Sequence, residues 1–265
     1  MELKFEHQSF FKRLKSMLVV DFRRMFTMPF LYIMLGSCLV MPILILVMTT
    51  MMDGSVTVDP QTGVETVVEG FDNVWQAIGS ISGAPMSMGL TSMCNINMLY
   101  SFIAVLVCVF VGADFRSGYA KNLFTVRAKK TDYVISKTLV GFVGGAGMLL
   151  CFFVGSMLGG AIAGLPFVME GFSTMELVMC MLSKVGVVAV FVPIYLLMSV
   201  IAKDKTWLSI ILSMMTGMLL FMMIPMLTPL NATMMDVVLC LVGGVLFSIG
   251  FGAISNTVLK KTSLV

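Results

Sequence analysis

The chain reads as an all-α membrane protein, with six transmembrane helices preceded by an N-terminal amphipathic elbow helix and both termini cytoplasmic. Two observations predict this. Six apolar runs, near 31–52, 93–111, 138–163, 177–202, 207–227 and 236–259, match the roughly 20 residues that a helix needs to cross a ~30 Å hydrocarbon core. The basic residues then alternate in side. They cluster at the N-terminus (Lys4, Lys12, Arg13, Lys15, Arg23, Arg24), between runs two and three (Arg116, Lys121, Arg127, Lys129, Lys130, Lys137), at Lys203 and Lys205, and at Lys260 and Lys261. The intervening segments carry Asp53, Asp59, Glu65, Glu69, Asp72, Glu170, Glu176 and Asp236 with no Lys or Arg. The positive-inside rule places the basic segments in the cytoplasm and the acidic ones outside.

A soluble domain is excluded by composition. Hydrophobic residues make up 58% and charged residues 12%, against about 25% charged in ordinary globular chains, and the mean hydropathy is +1.01. Residues 1–29 are expected to form a cytoplasmic tail and elbow. Residues 30–265 form the membrane domain, with an exterior loop at 53–89 and a cytoplasmic loop at 113–137. The first apolar run starts late and lacks a small-residue cleavage site, so no cleaved signal peptide is expected. Six cysteines without CxxC spacing suggest packing rather than zinc or disulfides.

The elbow is the first element. From Gln8 to Met28, Phe10, Phe11, Leu14, Met17, Leu18, Phe22, Met25 and Phe26 recur at helical spacing opposite Lys12, Arg13, Lys15, Arg23 and Arg24. That pattern predicts a helix in the headgroup plane with its cations toward anionic lipid, or else a site for a soluble partner. Pro29 separates it from the first span.

In the exterior loop, Val56 to Val68 alternates around Asp-Pro-Gln-Thr-Gly, a hairpin signal. A short helix follows, with Asp72 as its expected cap. Such a loop either caps the outer mouth, binds something outside, or is decoration.

The spans are nearly free of ionisable groups, which counts against proton-coupled transport and intramembrane catalysis. The one histidine, His7, lies in the tail, no acidic pair lies within a span, and no Gly-Lys pair offers a P-loop. The chain is therefore not expected to be an enzyme, to bind nucleotide or to hold a cofactor, and no nucleic-acid partner is expected. Lys184 is the exception in span four. Its stem predicts snorkelling outward toward Glu176 or the headgroups, the alternative being a pathway role.

Gly141, Gly145, Gly155, Gly159, Gly160 and Gly164 in span three, and Gly244, Ser248 and Gly252 in span six, are small residues spaced for close helix packing, within the chain or across a dimer seam. Pro42 and Pro193 are expected to kink spans one and four, and Pro225 and Pro229 to end span five. Met86, Met88, Met93, Cys94 and Met98 suit Cu(I), but methionine is spread through every span, as apolar filler would be.

The most specific signal is the hinge between spans two and three, Gly112-Ala-Asp-Phe-Arg-Ser-Gly-Tyr-Ala-Lys-Asn-Leu-Phe124, followed by Lys129 to Lys137. A span ends there, a short amphipathic helix turns back, and a second helix capped by Thr131 or Asp132 re-enters. Here the chain resembles the type-2 ABC transporter permeases, in the small six-span form that exports antimicrobial or amphipathic peptides. Asp114, Phe115, Arg116, Ser117, Gly118, Lys121, Asn122 and Leu123 match that family's turn and coupling helix, as do Tyr133, Ser136 and Lys137 its basic re-entry.

The resemblance implies a permease in membrane lipid that pairs with a second copy or homologue and with two cytoplasmic ABC ATPases, which would hold the ATP and magnesium. Phe115, Tyr119 and Leu123 would be apolar anchors in the ATPase cleft, with Arg116 and Lys121 at the rim. Leu99, Phe102, Leu106, Met214, Met218, Phe221 and Met222 would line the route, core packing being the alternative for each. An apolar lining would suit apolar or amphipathic cargo, peptides first. A drug or lipid exporter, a copper-related permease and a channel without an ATPase remain as other readings.

Overall fold

The protein's structure, a computed structural model, describes residues 9–58, 65–82, 94–126, 129–221 and 223–261. Its helices are α1 (Phe10–Thr27), α2 (Pro29–Met52), α3 (Leu99–Arg116), α4 (Tyr119–Val126), α5 (Lys130–Ala163), α6 (Thr174–Ala202), α7 (Thr206–Phe221), α8 (Ile224–Leu227) and α9 (Met234–Lys261). Five of them, α2, α3, α5, α6 and α9, are long and apolar enough to cross a membrane.

The expected fifth span is broken. The chain runs as the 16 residues of α7, about 24 Å at ~1.5 Å per residue, and resumes as the single turn of α8. Pro225 explains the break, because it has no amide proton and its ring crowds the carbonyl four residues earlier, at Phe221. Expected at the end of a continuous span, it instead opens α8 near the first helical position, where proline is tolerated. Pro42 and Pro193 stand inside α2 and α6, which continue past them as single helices.

The elbow α1 is capped by Ser9, whose hydroxyl accepts from the Lys12 amide. Met17, Asp21 and Met25 are buried at every fourth position, so one stripe of α1 docks on α5. Two of its cations correct the headgroup expectation: Arg13 and Arg24 turn into the protein and pair with carboxylates there. Met28 is extended and Pro29 starts α2, which fixes the corner.

Helix α6 is the centre. It packs along α3, α5, α7 and α9, while α2 lies along α5. Both glycine series serve packing within the chain. A Cβ at Gly159 would sit 2.7 Å from the Ile43 Cα of α2, one at Gly145 would sit 2.7 Å from Val188 of α6, and one at Gly244 of α9 would sit 2.7 Å from Ala189. Gly164 differs, for it ends α5 in the left-handed region at φ 73° with open space around it.

At the end of the bundle away from α1, β1 (Val56–Val58) pairs antiparallel with β2 (Glu65–Val67), Val56 opposite Val67 and Val58 opposite Glu65. This is the expected hairpin, although its turn, 59–64, lies outside the described residues. Residues 70–82 then form a strap across this end. The Gly70 amide donates to Asp53 Oδ1 at 2.9 Å, and Asn73 caps a 3-10 turn, Val74–Ala77, by accepting from the Trp75 amide. The cap is thus Asn73 rather than Asp72, because a side-chain oxygen reaches an amide two residues on. Trp75 is buried among Phe153, Phe167 and Phe172. The strap continues to the turn after α8, where the Leu230 amide donates to the Ser80 carbonyl and the Ser82 amide to Asn231 Oδ1, each at 2.9 Å.

Candidate functional site

The hinge between α3 and α4 is built by one glycine. Gly118 stands at φ 72°, a conformation only glycine takes without strain, and α4 starts directly after it. The Gly118 carbonyl accepts the Asn122 amide at 3.0 Å, tying the turn to the new helix. Helix α5 begins at Lys130 with Lys129 as its cap residue and no side-chain cap bond. The expected cap Asp132 is engaged elsewhere, accepting from Arg13 Nε at 3.0 Å.

Beneath the hinge lies a buried ionic joint. Lys137 Nζ lies 2.9 Å from Asp21 Oδ1 and 2.7 Å from Asp114 Oδ2, and all three side chains are fully buried. Arg24 Nη2 lies 2.6 Å from Asp114 Oδ1. Ser136 Oγ donates to Asp21 Oδ2 at 2.6 Å, and Tyr133 OH donates to Asp114 Oδ2 at 3.0 Å. Two carboxylates thus meet two cations, a neutral set in which Asp21 Oδ2 and Asp114 Oδ2 accept hydrogen bonds while Asp21 Oδ1, Asp114 Oδ1 and Lys137 Nζ are held by charge contact alone. Lys137 also stands 3.9 Å from the Phe110 ring centre, and Arg24 stands 3.9 Å from that of Tyr119.

The electrostatics follow from this packing. Burial disfavours the Arg24 cation, yet Asp114 outweighs it and the Arg24 pKa is raised above its ordinary value. Burial and the nearby Asp21 push the Tyr119 phenol up, with Arg24 opposing. Both effects favour a protonated guanidinium stacked on a neutral ring.

The nine hinge residues divide by side. Asp114 is buried in the joint, Phe115, Tyr119 and Leu123 are half-buried against the bundle, and Arg116, Ser117, Lys121 and Asn122 are exposed, with Gly118 half-exposed between them. The face of the hinge open to a partner, the turn Arg116–Ser117 together with α4, is therefore polar and basic, and the three expected anchors show only an edge. Asp21 was not among the sequence candidates. Its signal was present: a carboxylate between Met17 and Met25 on the apolar stripe of an amphipathic helix has no reason to be there unless something buried answers it.

The expected lining residues do not form one surface. Leu99 and Leu106 are completely buried in the core, Phe102 is half-buried, Met214 and Met218 are 39% and 76% exposed, and Phe221 is half-buried. Met222 lies outside the described residues, as do Met86, Met88 and Met93 of the copper grouping. Lys184 departs from its expectation. It does not snorkel toward Glu176, which instead closes a capping box with Ser173. It is fully buried, and its Nζ donates at 2.9 Å to both Asn97 Oδ1 and Thr228 Oγ1. Inward acceptors from two other elements outcompete the headgroups.

A family model described as ABC-2 family transporter protein matches residues 22–220, from the last turns of α1 through α7. The chain belongs to the ABC-2 transporter family. No curated protein and no solved structure matches it. Membership makes the chain a multi-pass permease of an ABC transporter, in a family that is generally non-catalytic and works with ABC ATPase subunits. The matched region contains the whole hinge and, of the joint, Arg24, Asp114, Tyr133, Ser136 and Lys137.

Proposed function

We propose that this ABC-2 permease is an exporter subunit of the cytoplasmic membrane, both termini inside, that docks an ABC ATPase through α4. One observation carries the docking reading: α4 stands next to a buried ionic joint, with Arg116 and Ser117 of the turn before it and its own Lys121 and Asn122 all facing outward. A short helix with an anchored back and an open basic face suits insertion between the lobes of an acidic-rimmed partner. Movement of α4 would pass to α1, α3 and α5 together, since the joint holds all three.

In this reading two copies, or this chain and a homologue, meet two ATPases, which bring the ATP and magnesium. The broken α7–α8 segment counts as the sixth membrane-embedded element. The cargo is apolar or amphipathic, with peptides as the favoured class, because the exposed face of α7 offers Met214, Met215 and Met218 and no charge. Methionine surfaces adapt to varied apolar partners.

The test is co-purification with candidate ATPase subunits, wild type against Arg116→Glu with Lys121→Glu, followed by ATPase assays with amphipathic peptides. The wild type is expected to retain the ATPase and the variant to lose it, with peptides stimulating hydrolysis by the intact complex. An ATPase that binds both forms equally would overturn the docking face. Stimulation by lipids or drugs but not by peptides would overturn the cargo.

A further inference from the structure

The hairpin end of the bundle holds a cation that the docking and cargo readings leave unused. Lys184 sits about 15 Å along α6 from Thr174, at ~1.5 Å per residue, and is 0% exposed. Among the described residues no carboxylate pairs with it. A buried ammonium without a counter-charge is costly in a bilayer and marks a functional position.

Its two acceptors belong to different elements. Asn97 comes from the 3-10 turn Ile96–Met98 that leads into α3, and Thr228 from the turn after α8. The Thr228 hydroxyl donates to the Ile224 carbonyl at 2.8 Å, so its oxygen is left to accept from Lys184. Tyr100 OH donates to the Lys184 carbonyl at 2.9 Å, fixing the lysine's own turn of helix to α3. The Thr228 turn is also joined to the strap by the Leu230–Ser80 and Ser82–Asn231 hydrogen bonds. One charged side chain therefore joins the two turns to each other through α6, where the Thr228 turn is further tied to α6 and α9 by the long thiol contacts from Cys180 to the Thr228 carbonyl at 3.5 Å and from Cys240 to the Leu227 carbonyl at 3.7 Å.

We propose that Lys184 is a latch: it holds the Asn97 and Thr228 turns shut over the hairpin end, and breaking it opens that end to water while the rest of the bundle stays folded. The freed ammonium gains hydration, which favours the open form, and the two acceptors hold that bias in check. The latch requires neither the peptide cargo nor a bound ATPase.

Lysine reactivity tests it directly. The full chain in lipid nanodiscs is treated with a water-soluble amine-acylating reagent, and each lysine's rate is read by peptide mass spectrometry. Lys121 and Lys205 are exposed references, and Lys137, fully buried in the joint at the other end, reports general unfolding. In the wild type, Lys184 is expected to react at least about tenfold more slowly than Lys121 and Lys205, as local opening governs its access. Thr228→Val is expected to raise the Lys184 rate by about tenfold or more and leave Lys137 at its wild-type rate. Three results overturn the latch: fast Lys184 in the wild type, slow Lys184 in Thr228→Val, or joint acceleration of Lys184 and Lys137. Asn97→Ala is judged by the same criteria if Thr228→Val does not fold.

Discussion

Arg24 and Asp114 stand 2.6 Å apart, and that contact makes the elbow helix part of the hinge. Arg24 belongs to the last turns of α1, and Asp114 to the last turn of α3, three residues before the Ser117-Gly118 turn. Asp114 is also held by Lys137 and Tyr133 of α5, so three segments converge on one carboxylate. A helix that lay free in the headgroup plane would give α4 no such support. The elbow is better described as the fixed wall against which the hinge is built.

Removing that carboxylate's charge should be severe. Asp114→Asn leaves Arg24 and Lys137 with only Asp21, an uncompensated buried cation, and breaking such a cluster from one side costs roughly 3–5 kcal/mol. Pairing it with Lys137→Met restores neutrality, so the double variant should lose less than the sum of the singles. Thermal unfolding in detergent measures the cycle. A melting temperature for Asp114→Asn within about 1 °C of wild type would show the joint to be solvated rather than dry.

The two sides of the hinge should respond differently. Arg116→Glu with Lys121→Glu alters exposed side chains and should leave the melting temperature near wild type, as surface changes typically stay within about 0.5 kcal/mol, while abolishing co-elution with the ATPase. Phe115→Ala with Leu123→Ala removes half-buried apolar contacts with the bundle and should cost about 1–3 kcal/mol. Any loss of ATPase binding in that variant is then accompanied by a looser hinge. Equal melting temperatures for the two variants would contradict the inward placement of the aromatic side.

Much of this was legible in the sequence because it depends on local chemistry. Gly118 after Ser117 marks the turn, the Val-Thr-Val and Glu-Thr-Val runs mark the hairpin, and the glycine spacings mark close helix contacts. What escaped depends on partners distant in the chain. Nothing local shows that Lys137 answers Asp21, 116 positions earlier by numbering (137 − 21), or that Lys184 meets Thr228, 44 positions later. The break in the fifth span is an intermediate case: Pro225 was visible, but a proline at the end of an apolar run and one that interrupts it look alike until the helix on either side is placed.

The strap makes its own prediction. The chain has two tryptophans, and they are opposites: Trp75 is 4% exposed within its phenylalanine cage, and Trp207 is 62% exposed. Trp75→Ala should cost roughly 3–5 kcal/mol, the range for a buried large aromatic, and should raise hydrogen exchange across 70–82. Trp207→Ala should be close to neutral. If exchange over 70–82 in Trp75→Ala matches wild type, the cage does not hold the strap.

Glycine substitutions separate contact from propensity. At Gly159 the nearest atom to an added Cβ is the Ile43 Cα at 2.7 Å, with Leu46 Cδ1 at 3.2 Å. Backbone cannot rotate away as a side chain can, so Gly159→Ala must push α2 off α5, at the 1–3 kcal/mol or so typical of overpacking. At Gly243 of α9 nothing lies within 4 Å. Gly243→Ala therefore meets no obstacle and should stabilise the helix by up to about 1 kcal/mol, the difference in helix propensity. Both residues are helical glycines in apolar spans, so composition and propensity alone would assign the two changes the same sign. Opposite shifts in melting temperature would establish that α2 and α5 approach through Gly159, whereas two stabilising shifts would mean that α2 stands farther from α5 than the packing described above.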